Sequence, residues 1–144
     1  MRVLLRLVLL LTLLLVGCGQ GSGSASGTDA SAVVRAPGKP GAPTVDIVYL
    51  NHPPMRAVMS DINPILDTYG QDISVTKYQF GTAEGDSFAR EKGVTGHTPI
   101  AIFVNGSMEA TLGDQQVKFY NFPGISWNLD DFKAVLNQAT GRSS

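Results

Sequence analysis

Cysteine is almost missing from this sequence of 144 residues, which has a single one, Cys18. Clusters of one charge are missing as well, because 11 Lys and Arg are spread along the chain against 12 Asp and Glu, for a formal net charge of −1. A protein that binds nucleic acid through the phosphate backbone needs a basic patch. We therefore expect no nucleic-acid partner.

The longest apolar run is short and lies at the amino terminus. Residues 7–16 are apolar apart from Thr12 and follow two basic residues, Arg2 and Arg6. Ten residues are too few to span a bilayer, whereas a basic start followed by such a run is typical of a secretory signal. The sequence therefore predicts export from the cytoplasm.

The residues that end this run point to lipidation. Leu15-Val16-Gly17-Cys18 resembles the lipobox of bacterial lipoproteins, in which the cysteine becomes the first residue after cleavage. The resemblance implies a signal peptide at 1–17, a diacylglyceryl group (often with a third chain such as palmitate) on Cys18, and stable anchoring of an extracytoplasmic protein to the membrane. The competing interpretation is an ordinary signal peptide with an incidental cysteine. Inner and outer membrane are not distinguished.

A Gly-, Ser- and Pro-rich segment follows the cysteine. Residues 19–44 contain few bulky apolar groups and carry prolines at 37, 40 and 43. Such a composition buries too little apolar surface to offset the entropy of ordering. We expect a lipidated, flexible tether over 18–44 and one folded domain over 45–141.

The remaining chain alternates strand and helix patterns, which predicts the α/β class. β-branched and apolar runs predict strands at 45–50, 73–80 and 100–104, and three- to four-residue apolar spacing predicts helices at 55–69, 86–92 and 129–139. The first strand-helix-strand unit predicts a right-handed crossover and a parallel pair. Asn105-Gly106 predicts a two-residue hairpin turn leading into a partner strand at 108–112, with a further strand at 115–122.

Three local motifs in this order resemble the thioredoxin family. Residues 93–100 are similar to its Val-x-Gly-x-Pro-Thr segment with one extra residue before the proline, 100–106 to the strand and hairpin that follow, and 64–67 to its proline-kinked helix. The resemblance implies a thioredoxin-like three-layer α/β/α sandwich with a central mixed sheet of four to five strands. It also implies a cis peptide bond before Pro99.

The sequence departs from that family at the reactive turn. His52-Pro53-Pro54-Met55-Arg56 is similar to a Cys-Pro-Pro-Cys-Arg motif with His52 and Met55 in the cysteine positions. Counting back from Pro64 instead puts Arg56 and Met59 there. Both registers remove both thiols, and disulfide exchange needs an attacking thiolate and a resolving thiol. We therefore expect a redox-inactive protein that is not an enzyme.

The groove beside this turn is then expected to bind a protein or peptide, as an assembly module of the cell envelope. An extended peptide can pair with backbone next to a cis proline. The resemblance implies a groove with the following lining: His52, Pro54, Met55, His97, Thr98 and Pro99.

A different function uses some of the same side chains as metal ligands. Imidazole and thioether groups suit Cu(I), so His52, Met55, Met59 and His97 predict a copper carrier as the alternative. Against it, methionines at helical spacing are usually core residues. Trp127 has two interpretations as well: an exposed aromatic patch that binds a partner, or packing over the end of the core.

Overall fold

The computed structural model describes residues 33–95 and 97–143, so the predicted signal peptide at 1–17, Cys18 and residues 19–32 lie outside the described residues. In the described ranges, none of the helices combines the length and the apolar character needed to span a bilayer. The described residues form six strands, three α-helices and a short 3-10 helix at Gly70–Asp72. The strands and α-helices are β1 (Val33–Ala36), β2 (Thr44–Tyr49), α1 (Pro53–Tyr69), β3 (Ser74–Gln79), α2 (Ala83–Glu91), β4 (Ile100–Val104), β5 (Glu109–Leu112), β6 (Gln115–Lys118) and α3 (Leu129–Thr140).

A four-stranded mixed sheet in the order β1-β3-β2-β4 forms the centre of the fold. β2 and β3 are parallel, as the crossover through α1 requires, while β1 and β4 run antiparallel to their neighbours. β4 is buried along its whole length, which explains why it has no polar residue. The α/β class and the mixed sheet are therefore confirmed.

Helices cover both faces of this sheet. The larger core cluster places side chains of α1 and α3 against one face, and the smaller one places α2 against the other. Alternation along β2 explains the division, because Val45 and Ile47 belong to the first cluster and Val48 to the second.

The hairpin after β4 differs from its prediction in one respect. Asn105 and Gly106 both have positive φ, 51° and 81°, as a two-residue turn requires. The chain then leaves β4 after the Val104–Ser107 bridge, and β5 pairs with β6. The expected β4 partner at 108–112 is wrong. Its place is taken by the segment after β6, where Tyr120 bridges Ala101.

Helix α2 begins at Ala83, three residues before its predicted start. The Thr82 side chain caps it by accepting a hydrogen bond from the Gly85 N–H at 3.1 Å. Gly85 has no room for a side chain, because a Cβ there would collide with the Gln79 carbonyl at the end of β3. The first turn of α2 is thus packed directly on the sheet.

The predicted tether ends earlier than Thr44 in the structure. Residues 33–36 form the edge strand β1, with Ala36 paired to Val75 of β3. The turn after it is fixed too, since the Lys39 N–H donates to the Gln71 carbonyl at 2.8 Å. A Cβ on Gly38 would meet the Ile73 carbonyl oxygen at 2.5 Å, so this glycine permits close approach of two backbones. The folded domain therefore includes residues 33–44.

Candidate binding site at the start of helix α1

The turn between β2 and α1 holds the first predicted site residues. His52 is the N-cap of α1 in extended conformation, and its N–H donates to the Leu50 carbonyl at 3.1 Å. Pro53 and Pro54 occupy the first helical positions, where proline fits without loss of a helical hydrogen bond. The register that starts at His52 therefore coincides with the start of the helix. In the other register, Arg56 and Met59 lie inside α1.

A hydrogen bond joins this turn to the second predicted segment. The Leu50 N–H donates to the Pro99 carbonyl at 2.9 Å, just before β4 begins. β4 runs antiparallel to β2 with Tyr49 opposite Ile100, so the end of one strand meets the start of the other. The structure therefore brings the 50–54 turn and the 97–99 loop together, as the sequence predicts.

The expected cis peptide bond before Pro99 is wrong. None of the peptide bonds between described residues is cis. Thr98 turns inward instead and is 2% exposed, with its hydroxyl donating to the Thr95 carbonyl at 2.9 Å and lying 2.7 Å from the Tyr120 hydroxyl. These contacts fix the position of Thr98 in the loop. Thr98 thus supports the loop from beneath and does not line a groove.

The exposure of the other predicted residues divides them in two. Pro54 and His97 are exposed, and His52 and Pro99 are half-buried, so these four are accessible to a partner. Met55 is fully buried in the core between the sheet and α1. It therefore anchors the start of the helix from inside.

The same division applies to the alternative metal site. Met59 is 7% exposed and, like Met55, belongs to the core cluster, which is the ordinary structural role of methionine. His97 is exposed on the loop. Within the described ranges, no three His, Cys, Asp or Glu side chains are grouped closely enough to hold a metal ion. Cu(I) binding stays a prediction without support from these positions.

The start of α1 has few free hydrogen-bond donors for an anion. The first amides of a helix lack intrahelical partners and attract anions. Here Pro53 and Pro54 have no N–H, and the His52 N–H is used by Leu50. Among the amides of this first turn, the Met55 N–H is the one left. The start of α1 is therefore poorly suited to bind a phosphate or carboxylate group.

Two further segments border the site that the sequence patterns did not reveal. The Asn51 side chain donates to the Gln79 side chain at 3.0 Å, which ties the turn to the end of β3. The Asn121 N–H donates to the Ile100 carbonyl at 3.0 Å, which brings the chain after β6 to the same end of the sheet. Neither contact has a signal in local periodicity, since both depend on strand register.

Trp127 stabilises this last segment and is not an exposed patch. Its indole is 3% exposed, packs edge-on against Phe119 and Phe132, and donates to the Asn121 carbonyl at 3.1 Å. The packing interpretation of Trp127 is therefore confirmed. The indole holds the 121–127 loop against the core.

A carboxyl group on the strand that leads to the site was also missed. Asp46 points to the α2 face of β2 and is half-buried. Burial raises the pKa of Asp46, while a hydrogen bond with Thr76 and the charge of Lys92 act in the opposite direction. It lies three residues before Tyr49, opposite Thr76 of β3 and Phe103 of β4 in the sheet register.

No protein-family model, curated protein or solved structure matches this chain.

Proposed function

We propose that this chain is a lipid-anchored, extracytoplasmic, thioredoxin-like domain that lacks thiol chemistry and binds an extended peptide at its 50–54 turn and 97–99 loop. The lipid anchor at Cys18 is part of the proposal and depends on the lipobox resemblance. The peptide site depends on the described geometry. Fold likeness alone is a weak guide to function, so each part has its own test.

The arrangement of elements supports the thioredoxin-like part. From β2 onward the chain follows the order β-α-β-α-β-β-β-α on which the resemblance is based, with helices on both faces of the sheet. The parallel β2–β3 pair and the antiparallel β2–β4 pair place the α1 start and the proline loop at one end of the sheet. Ligand sites in open α/β sheets commonly lie at such strand ends.

The observation that carries the peptide site is the hydrogen bond from the Leu50 N–H to the Pro99 carbonyl. This hydrogen bond joins two segments that are almost 50 residues apart in sequence, so that they form one surface. His52, Pro54 and His97 are accessible on it, while Thr98 and Met55 fix it from inside. A rigid surface with accessible imidazole and proline rings suits contact with peptide backbone and apolar side chains.

The experiment replaces His97 with a photo-crosslinking amino acid in the full chain. The protein is kept in the membranes of the cells that produce it. We expect discrete adducts with one or a few polypeptides, and loss of those adducts when Pro54→Asp adds a charge to the surface. The matched control carries the same photo-crosslinker at Asp114, an exposed residue of the β5–β6 turn.

The outcomes separate the parts of the proposal. Equal adducts at positions 97 and 114 would contradict a peptide site at the loop. Cys18→Ser should release the chain from the membrane fraction, and retention would contradict the lipid anchor. Turnover in an insulin-reduction assay with the purified chain would contradict the absence of thiol chemistry.

A further inference from the structure

Strand β1 has an exposed outer edge. β1 is the last strand of the sheet order β1-β3-β2-β4, and among residues 33–95 and 97–143 no strand pairs with its outer side. Val34 lies in this strand and is 47% exposed; it and Ile125 are the two large apolar side chains exposed in the described ranges. Exposed edges of this kind pair with other strands unless they are protected.

An apolar groove continues from the edge over one face of the sheet. It has a volume of about 340 Å³ and lies between β1 and α1, with Val34 and Ala36 on one side and Leu66 on the other. One carboxylate, Asp67, and one ammonium group, Lys77, also line it. The groove is therefore lined largely by apolar side chains and carries one group of each sign of charge, so it does not repel a copy of itself.

We propose that β1 pairs antiparallel with β1 of a second copy of this chain, which joins the two sheets and merges the two grooves. The two copies are related by a two-fold axis perpendicular to the joined sheet. The faces that carry α1 in the two copies then lie on the same side. Directly opposite residues must share a face, so the axis passes through either the Val34 pair or the Arg35 pair.

Charge selects between these two registers. With the axis at Arg35, two guanidinium groups lie directly opposite each other, which is unfavourable. With the axis at Val34, the two exposed valines cover each other and each Arg35 lies opposite Val33 of the second copy. The Val34 register therefore buries the exposed apolar group and separates the like charges.

This edge is distinct from the proposed peptide site. β1 is separated from β4 by two strands, whereas the peptide surface lies at the junction of β2 with β4. Failure of one proposal leaves the other unaffected.

The test introduces single cysteines into the full chain in membranes and measures disulfide-linked dimers after mild oxidation with diamide. Directly opposite Cβ atoms lie roughly 4.5–5.5 Å apart in an antiparallel pair, close to the roughly 3.5–4.5 Å that a disulfide needs. We expect Val34→Cys to yield about tenfold more dimer than Ile125→Cys, because the latter pair meets only by collision. Cys18 is present in every variant, so the unsubstituted chain gives the background.

Several outcomes overturn the proposal. Equal cross-linking of Val34→Cys and Ile125→Cys would indicate random collision, and stronger cross-linking of Arg35→Cys would contradict the Val34 register. A second measurement uses sedimentation of the full chain in detergent, where the mass should rise toward that of a dimer with concentration and Val34→Lys should remain monomeric. If the unsubstituted chain stays monomeric at every concentration, the proposal is also overturned. That result is expected where residues before Val33 or another partner cover the edge.

Discussion

Helices α1 and α3 begin in opposite ways. α3 starts with a complete capping box, in which the Asn128 side chain accepts from the Asp130 and Asp131 amides and the Asp131 carboxylate accepts from the Asn128 N–H. Asp130 and Asp131 also complement the helix dipole. α1 starts with His52, which makes no side-chain cap hydrogen bond to a described residue, and with no acid in its first turn.

Helix α1 is fastened at its other end instead. Asp72, two residues beyond the Gly70 that ends the helix, accepts hydrogen bonds from Lys39 and Arg142, each at 2.7 Å. The Arg142 guanidinium also stacks over the Tyr69 ring at 4.6 Å. The start of α1 is held by the buried Met55 side chain beneath it, and His52 and Pro54 stay accessible at its surface. This difference from α3 is what a binding surface on a stable scaffold requires.

The largest effect should come from removing that packing. Met55→Ala leaves a cavity in the core and should lower the free energy of unfolding by about 2–5 kcal/mol. Met55→Leu conserves volume and should cost less than about 1.5 kcal/mol. Urea denaturation followed by circular dichroism measures both. Equal losses for the two variants would show that Met55 does not act through packing.

Removal of an N-cap side chain should give the next largest loss of stability, and only at α3. Asn128→Ala removes the cap and should cost about 1 kcal/mol, within a usual range of roughly 0.5–2 kcal/mol. His52→Ala removes no cap hydrogen bond and should stay within about 0.5 kcal/mol of the unsubstituted protein. Thermal unfolding of the two variants side by side checks the contrast. A loss at His52 as large as that at Asn128 would remove the distinction between the helix starts.

Acid should weaken the fastening at the end of α1. Hydrogen bonds from Lys39 and then Arg142 lower the pKa of Asp72 below its ordinary value of 3.8. A depressed pKa contributes stability above the unfolded value that is lost as the pH falls through the folded value. The free energy of unfolding, measured between pH 5 and about pH 2, should therefore fall less steeply with acid in Asp72→Asn than in the unsubstituted protein. Because these ion pairs are partly exposed, we expect a small difference.

Removal of Lys39 and Arg142, the two hydrogen-bond donors to Asp72, gives the matched control. The double substitution Lys39→Gln and Arg142→Gln leaves the carboxylate but removes both cations, so it should flatten the acid decline as Asp72→Asn does. An unchanged decline in both variants would place the acid sensitivity elsewhere in the molecule.

The smallest effect is expected from Cu(I). Met55 and Met59 are packed in the core, so we expect no stoichiometric binding in a titration of the full chain against a competing Cu(I) chelator. Binding of one equivalent that disappears in the variants His52→Ala and His97→Ala would favour the copper-carrier alternative. Loss of that binding in Met55→Leu as well would mean that the start of α1 opens to expose the Met55 thioether.

The sequence predicted the buried parts of the fold better than its edges. β2, β4 and α3 lie within a residue of their expected bounds, because apolar periodicity and the Asn128 cap are local signals. β1 was missed because four largely exposed residues before Pro37 resemble the composition of a linker. The β5–β6 pairing was missed because it depends on how the chain leaves β4, a tertiary effect.

The candidate site was predicted in its location and only partly in its residues. The element order was enough to bring the 50–54 turn to the proline loop. Residue type did not reveal which side chains turn inward, so Thr98 and Met55 were expected on the surface and are buried. The bond before Pro99 is trans, the ordinary state of an X–Pro bond, and the contact of Thr98 with Tyr120 has no signal in a local motif.

Strand β1 also limits how far the domain can reach. If Cys18 is held in the membrane, 14 residues separate it from Val33, the first residue of strand β1. A fully extended segment of that length spans roughly 50 Å, and a flexible one far less on average. A tether extending to Thr44 would have allowed almost twice that distance. With Cys18 anchored, the 50–54 turn would therefore meet its partner only within that distance of the lipid surface, increased by the size of the domain.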